Sequence, residues 1–269
     1  MDALFEVADG SLMPTDLARG PWDVGALHGG PVAGIVVRAV EQHLAGDGGG
    51  PWQLARLTLE LLRPVPVEPL VVEARTSRPG RKVTLVEASI SAGDREVARG
   101  VALAIRRAEL ELPLPPRRAA TSVVDPNALP RSRPPQRAGV WQAFHNEAVE
   151  MRWEAGSWEE PGPVVLWMRL RVPFVAGEET SPAMRAVALG DFGNGVSSEL
   201  PFGEWRFLNP ELTVHLARQP RGEWVRLDAR SVLGPAGAGM AESELSDADG
   251  VFGRGTQSLL IEREVGGAQ

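Results

Sequence analysis

At 269 residues and 43% hydrophobic content, the chain holds enough apolar material for one large domain or two smaller ones. A net charge of −7 and a pI near 5.3 argue against a nucleic-acid partner, whose phosphates need a basic face. The absence of cysteine excludes a disulfide framework, a thiolate metal site and a Cys nucleophile.

From the amino terminus, Leu4 to Met13 alternates around a Gly10-Ser11 turn and predicts a short hairpin. The first residues lack the basic and apolar segments of a signal peptide, so a cytoplasmic location is the expectation. Gly25-Ala-Leu-His-Gly-Gly-Pro31 reads as a loop leading into an amphipathic helix, with Pro31 in the first turn and the end near Gly46. Strands follow at Arg56–Leu62, Leu70–Thr76, Val83–Ser91 and Glu96–Arg106, with links short enough for an antiparallel sheet. Leu112 to Ala138 is rich in proline and arginine and reads as a linker. The predicted organisation is therefore an N-terminal unit (1–111), a linker (112–138) and a C-terminal unit (139–269).

The second half predicts strands at Ala148–Ala155, Pro163–Val172, Trp205–Arg218, Trp224–Val232, Gly239–Leu245 and Val251–Ile261. The longest apolar run, Val164 to Val175, is interrupted by Arg169 and Arg171 and is too short to span a membrane. Between the second and third of these strands lies Thr180 to Gly195. Thr180 or Ser181 supplies an N-cap, Pro182 the first turn, and Met184, Val187 and Ala188 one apolar stripe. The next residue on that stripe is Asp191. A carboxylate on an apolar helix face costs several kcal/mol unless it is partnered.

The two halves are copies. At a constant offset of 155, Leu57-Thr58 falls on Leu212-Thr213, Arg63 on Arg218, Ala74-Arg75 on Ala229-Arg230, Glu87 on Glu242, Asp94 on Asp249 and Arg99-Gly100 on Arg254-Gly255. The helices correspond at an offset of 151, with Pro31 on Pro182 and Val36 on Val187. The differences carry the chemistry. Val40 becomes Asp191, Ala102 becomes Gln257 and Leu54 becomes Asn209. Three apolar positions of one copy are polar in the other, and a buried amide such as Gln257 needs partners that a carboxylate on the facing helix can supply.

A helix wrapped by an antiparallel sheet, duplicated in one chain, resembles the double-hotdog architecture of acyl-CoA thioesterases, an α+β fold of two tandem hotdog units. Leu27-His-Gly-Gly-Pro-Val-Ala-Gly34 resembles the start of the first hotdog helix in the acyl-CoA thioesterase II family. Ala188-Leu-Gly-Asp191 resembles the segment carrying that family's catalytic aspartate, and Asp249 to Gln257 its last strand, where a glutamine closes the site. The resemblance implies hydrolysis of an acyl-CoA by water without an acyl-enzyme and without a cofactor. Asp191 would be the general base or the carboxylate that orients the water, and Gln257 and Asn209 neutral donors to the water or the thioester carbonyl. The family's third position is commonly a hydroxyl. Alignment places Asn209 there, with Thr213 four residues later, and Asn209 is favoured because Thr58 occupies the place of Thr213 in the other copy. His28, Gly29 and Gly30 are the candidate substrate-binding residues, the glycines through their backbone N–H groups. A homo-oligomer, dimer or higher, is common in such folds.

Alternatives are poorer. Gly195-Val-Ser-Ser-Glu199 lacks the second glycine of a nucleophile elbow. The histidines at 28, 43, 145 and 215 show no metal-ligand spacing. An enoyl-CoA hydratase of the same fold would want an Asp/His pair near a helix start, and His28 has no nearby matched aspartate. A non-catalytic acyl-CoA-binding protein retaining the fold is the remaining reading.

Overall fold

The computed structural model describes residues 2–46, 50–111, 113, 124–132 and 142–263. The first half contains strands β1 (Phe5–Ala8) and β2 (Ser11–Pro14), helix α1 (Gly29–Gly46), then β3 (Trp52–Leu61), β4 (Leu70–Arg78), β5 (Val83–Ala92) and β6 (Arg95–Arg106). After a two-residue strand β7 (Arg131–Ser132) and a π-helical turn at Phe144–Ala148 come β8 (Val149–Ala155), β9 (Val164–Leu170), α2 (Pro182–Gly190) and the short helix α3 (Gly193–Val196). Strands β10 (Trp205–Leu208), β11 (Glu211–Leu216), β12 (Val225–Leu233), β13 (Ala238–Asp247) and β14 (Gly250–Arg263) complete the chain. Among the described residues no helix is long and apolar enough to cross a membrane.

Among the described residues all fourteen strands belong to one antiparallel sheet, ordered β1-β2-β4-β5-β6-β3 in the first half and β11-β14-β13-β12-β9-β8-β7 in the second, with β10 attached to β14. The halves meet where β3 pairs with β11. Thr58 lies opposite Thr213, flanked by Leu57 opposite Val214 and Leu59 opposite Leu212. Because Thr58 and Thr213 are equivalent in the repeat, the twofold axis relating the copies passes between them. This pairing also covers an edge that each half-sheet would otherwise leave open. The repeat extends to the surface. Arg75 pairs with Glu87 on β4 and β5, and the equivalent Arg230 pairs with Glu242 on β12 and β13.

Each half-sheet wraps its own helix, as a double hotdog requires. The α1 residues Val32, Ala33, Ile35, Val36, Val37 and Val40 are buried, as are Ala186 to Leu189 on α2. The helices also pack on one another. Ser181 caps α2, its hydroxyl accepting the Met184 N–H at 3.1 Å, and Pro182 follows where no N–H is needed.

One sequence expectation changes. The strand expected over Trp205–Arg218 is broken at Asn209-Pro210. Pro210 has no N–H for a ladder, so β10 pairs with the far end of β14 and β11 with its first half. Most of the segment read as a linker lies outside the described residues. Of its described residues, 124–132 are tied to the second sheet. Arg131 and Ser132 pair with β8, and the guanidinium of Arg152 donates to the carbonyls of Asn127 and Leu129 at 3.1 and 2.6 Å.

Candidate active site

Asp191 follows the last residue of α2 and is 3% exposed. The end of α2 is the negative end of a helix dipole, an unfavourable place for a buried carboxylate. Compensation comes from three other elements. The break at Pro210 turns Asn209 out of the ladder, and its Nδ2 donates to Asp191 Oδ1 at 2.8 Å. Gln257 stands on the inner face of β14, in register with the buried Gly253, Gly255 and Leu259, and its Nε2 donates to the same Oδ1 at 3.1 Å. His28, just before α1, places Nδ1 2.9 Å from Asp191 Oδ2. The positive N-terminus of α1 therefore faces the carboxylate across the repeat boundary.

Glycine makes this approach possible. A Cβ on Gly29 would stand 2.7 Å from Asp191 Oδ2, and one on Gly30 would stand 2.6 Å from the Ala188 carbonyl. A Cβ on Gly193 would meet Ser243 Oγ at 2.6 Å and Gln257 Oε1 at 2.9 Å. The space beside Gly29, expected from sequence to admit a ligand, is occupied by Asp191 itself.

His28 Nδ1 also lies 3.0 Å from the Gly30 N–H. One ring nitrogen thus faces a carboxylate and a backbone donor together. If Nδ1 carries a proton it donates to Asp191 and the Gly30 N–H is released. If Nδ1 is bare it accepts from Gly30. The ring is held by Phe144 and Phe192, each with its centroid 5.1 Å from that of His28. Phe144 comes from the π-helical turn, whose next residue, His145, titrates at about 4 because of burial and the neighbouring His28.

Of the predicted site residues, Asp191, Gln257, Asn209, His28 and Gly29 converge directly, and Gly30 adjoins them through His28. The two amides do not point at free space, as donors to a water or carbonyl would; both are spent on Asp191 Oδ1. Thr213 stands apart on the seam, its hydroxyl donating to Thr58 Oγ1 at 3.3 Å. Contrary to the expectation that His28 has no matched aspartate, it meets Asp191, which comes from the other repeat. His43 contacts Thr76 Oγ1 at 2.8 Å, and His215 is exposed. Among the described residues no group of three or more His, Asp or Glu side chains is placed to hold a metal.

Sequence reading missed Phe144, Phe192 and Asn194. Asn194, on α3, is 6% exposed. Its backbone N–H donates to Gln257 Oε1 at 3.0 Å, and its Nδ2 to the Phe207 carbonyl at 3.0 Å and to Asn209 Oδ1 at 3.5 Å. Its equivalence to His43 at the helix offset was the available signal, since both are polar residues beyond an apolar stripe. Farther along, Val196, Ser198, Leu200 and Phe202 line a cavity of about 220 Å³ with Trp158 and Pro161.

Two helices, each wrapped by half of one sheet, with a single polar cluster where one helix start meets the other helix end, define a double-hotdog protein. The chain belongs to the acyl-CoA thioesterase family: residues 18–122 match the model of the acyl-CoA thioesterase N-terminal domain, and residues 124–261 that of the C-terminal domain. Solved structures agree on the fold. A hot dog fold protein from Alicyclobacillus acidocaldarius superposes with a TM-score of 0.73 at 18% identity, over 97% of this chain and 96% of its own. A proposed thioesterase from Novosphingobium aromaticivorans gives 0.70 at 18% identity, over 97% and 100%. An acyl-CoA thioesterase II from Mycobacterium marinum gives 0.63 at 17% identity, over 91% and 93%. No curated protein matches the sequence.

Proposed function

We propose that this protein hydrolyses an acyl-CoA thioester by direct attack of water, with Asp191 as general base. The observation that carries the reading is a carboxylate buried to 3% exposure and held by side chains from three separate elements, at one of two equivalent places only. Family membership supplies the substrate class. Oδ1 accepts from both Asn209 and Gln257, whereas Oδ2 faces His28 and keeps a lone pair for a water. In the reaction the water oxygen bonds to the thioester carbon while its proton passes to Asp191. The carbonyl oxygen gains the charge, and the Gly30 N–H is the donor positioned to meet it when His28 Nδ1 keeps its proton, directs it as a hydrogen bond to Asp191 and so does not accept from Gly30. Collapse breaks the C–S bond, the carbonyl re-forms, and the proton held on Asp191 passes to the departing CoA sulfur.

Assays of free-thiol release over a panel of acyl-CoAs test this. Asp191→Asn is expected to lower kcat by roughly 10²- to 10⁴-fold, the usual contribution of a positioned base. Thr213→Val is expected to leave turnover within about threefold, since it removes only hydroxyl contacts to Thr58 and Glu211, worth about 1 kcal/mol each, away from Asp191. No hydrolysis of any chain length, with acyl-CoA binding intact, would leave the non-catalytic reading standing; full turnover by the Asp191 variant would displace the site.

The His28–Asp191 pair favours one second reading, an enoyl-CoA hydratase, because a base and an imidazole stand together at a helix start. A hydratase would consume the conjugated double bond of a 2-enoyl-CoA without releasing thiol. The same assay separates the two.

A further inference from the structure

Amide side chains are ambiguous as donors and acceptors until something fixed decides them. Backbone groups are fixed, and in this site they decide both amides. The N–H of Asn194 can only donate, so it takes Gln257 Oε1 at 3.0 Å; the Asp191 carbonyl can only accept, so it takes Gln257 Nε2 at 3.0 Å. Gln257 is therefore held from both ends with Nε2 toward the carboxylate. The Phe207 carbonyl likewise fixes the Asn194 side chain, accepting from Nδ2 at 3.0 Å. That same NH₂ group faces Asn209 Oδ1 at 3.5 Å, which leaves the other end of Asn209 to donate to Asp191 Oδ1 at 2.8 Å. The Glu211 carbonyl, 3.4 Å from Asn209 Nδ2, favours the same sense. A single residue thus touches both amides, through its backbone in one case and its side chain in the other.

We propose that Asn194 is a positioning residue that sets the polarity of Asn209 and Gln257, so that Asp191 is anchored through Oδ1 and acts through Oδ2. The statement about polarity stands on the hydrogen bonds alone; the statement about action rests on the thioesterase reading.

Asn194→Asp tests it with almost no change of shape. The substitution keeps the backbone N–H and therefore Gln257, but turns the donor facing Phe207 and Asn209 into an acceptor. Asn209 is then expected to rotate its own NH₂ toward residue 194 and present Oδ1 to Asp191. Two measurements follow. In ¹⁵N-labelled protein the Asn209 side-chain NH₂ resonances should move while those of Gln257 stay, a readout independent of turnover. In thiol-release assays kcat should fall roughly 10- to 100-fold, in the range of a lost preorganised donor, with KM nearly unchanged. The loss should shrink to about twofold or less in an Asn209→Leu background, where no amide remains to misorient. Equal losses in both backgrounds together with unmoved Asn209 resonances would overturn the proposal, because a purely structural role is indifferent to residue 209. If Asn194→Asp does not fold, Asn194→Ser carries the same cycle with a smaller loss. Should the wild-type protein release thiol from no acyl-CoA, the thioesterase reading fails while the resonance measurement still decides the polarity.

Discussion

The twofold axis gives this chain two equivalent places where the start of one helix meets the end of the other, and they are built differently. At the first, His28, Gly29 and Gly30 open α1 and meet Asp191, with Asn209 and Gln257 behind it. At the second, the equivalent helix start is Glu179, Thr180 and Ser181, and the three inner positions are Val40, Leu54 and Ala102, exposed by 1%, 4% and 0%. Polar groups at the second place tie the helices together instead of clustering inside. Arg38 grips Glu178 with two bonds of 2.7 and 2.6 Å, and Ser181 lies close enough to Glu41 to favour its charged form. Dry apolar contact plus peripheral ties favours stability, whereas an inward carboxylate with three donors favours chemistry. Duplication allows one copy to keep the first arrangement while the other takes the second.

Exchanging the inner residues is the strongest way to break this contrast. Val40→Asp puts a carboxylate where no Asn or Gln stands behind it, and should destabilise by about 3–5 kcal/mol, the cost of an uncompensated buried charge. Asp191→Val should remove turnover yet give no gain in stability, because the donors of His28, Asn209 and Gln257 lose their acceptor at about 1–3 kcal/mol for each one left buried. Urea unfolding of both variants checks the pair. A cost below about 1 kcal/mol for Val40→Asp would mean that the second place can hold a carboxylate after all, and the asymmetry would lose its meaning.

The helix starts offer a smaller, sharper test. Gly29 has no positive φ, so alanine is conformationally allowed there and acts through contact alone. Its Cβ would fall 2.7 Å from an oxygen that Asn209, Gln257 and His28 prevent from moving away. Gly29→Ala should therefore cost roughly 10- to 100-fold in kcat with the fold intact, the scale of a misplaced catalytic group. The mirror position already carries a side chain, Thr180, whose hydroxyl accepts the Phe174 N–H at 3.0 Å. Thr180→Ala should lose about 1 kcal/mol of stability and no turnover. Similar kinetic losses in both variants would show that the helix starts are not specialised.

Much of this was legible in the sequence. Period-two and period-3.6 patterns located the helices and most strands, and the repeat supplied a control for each polar residue: Asp191 stands out because Val40 occupies its place. The cross-repeat pairs were hidden for a physical reason. His28 and Asp191 meet only because two helices related by the twofold pack end to start, a relation that local periodicity does not encode. The strand break at Asn209 was written in Pro210, but the apolar alternation on either side masked it. Phe144 follows a proline- and arginine-rich stretch and sits in a π-helical turn, which has neither period. Asn194 lies between two glycines, a context that reads as loop, although Gly193 is there to admit Gln257 and Ser243.

The mildest prediction concerns the polar tie at the second place. Glu41 is half-buried, and burial raises its pKa above the ordinary 4.5 despite opposing contributions from Ser181 and Arg107. A carboxyl whose folded value exceeds its unfolded value is favoured in the fold only while protonated. As pH rises above 4.5 the unfolded chain ionises first, so stability falls until the folded group has ionised as well, and the penalty is constant beyond that point. Glutamine keeps the shape and a hydrogen-bonding group for Ser181 but cannot ionise. Glu41→Gln should therefore match the wild type in acid, gain on it through the window above pH 4.5, and hold a constant advantage at neutral pH, as read from urea midpoints across that range. The equivalent of Glu41 in the other copy is Phe192, an uncharged ring against His28, which explains why this titration belongs to the second place alone. A stability difference that is flat with pH would mean that Glu41 and Ser181 are a solvated surface pair and that the second place is more open than its apolar interior implies.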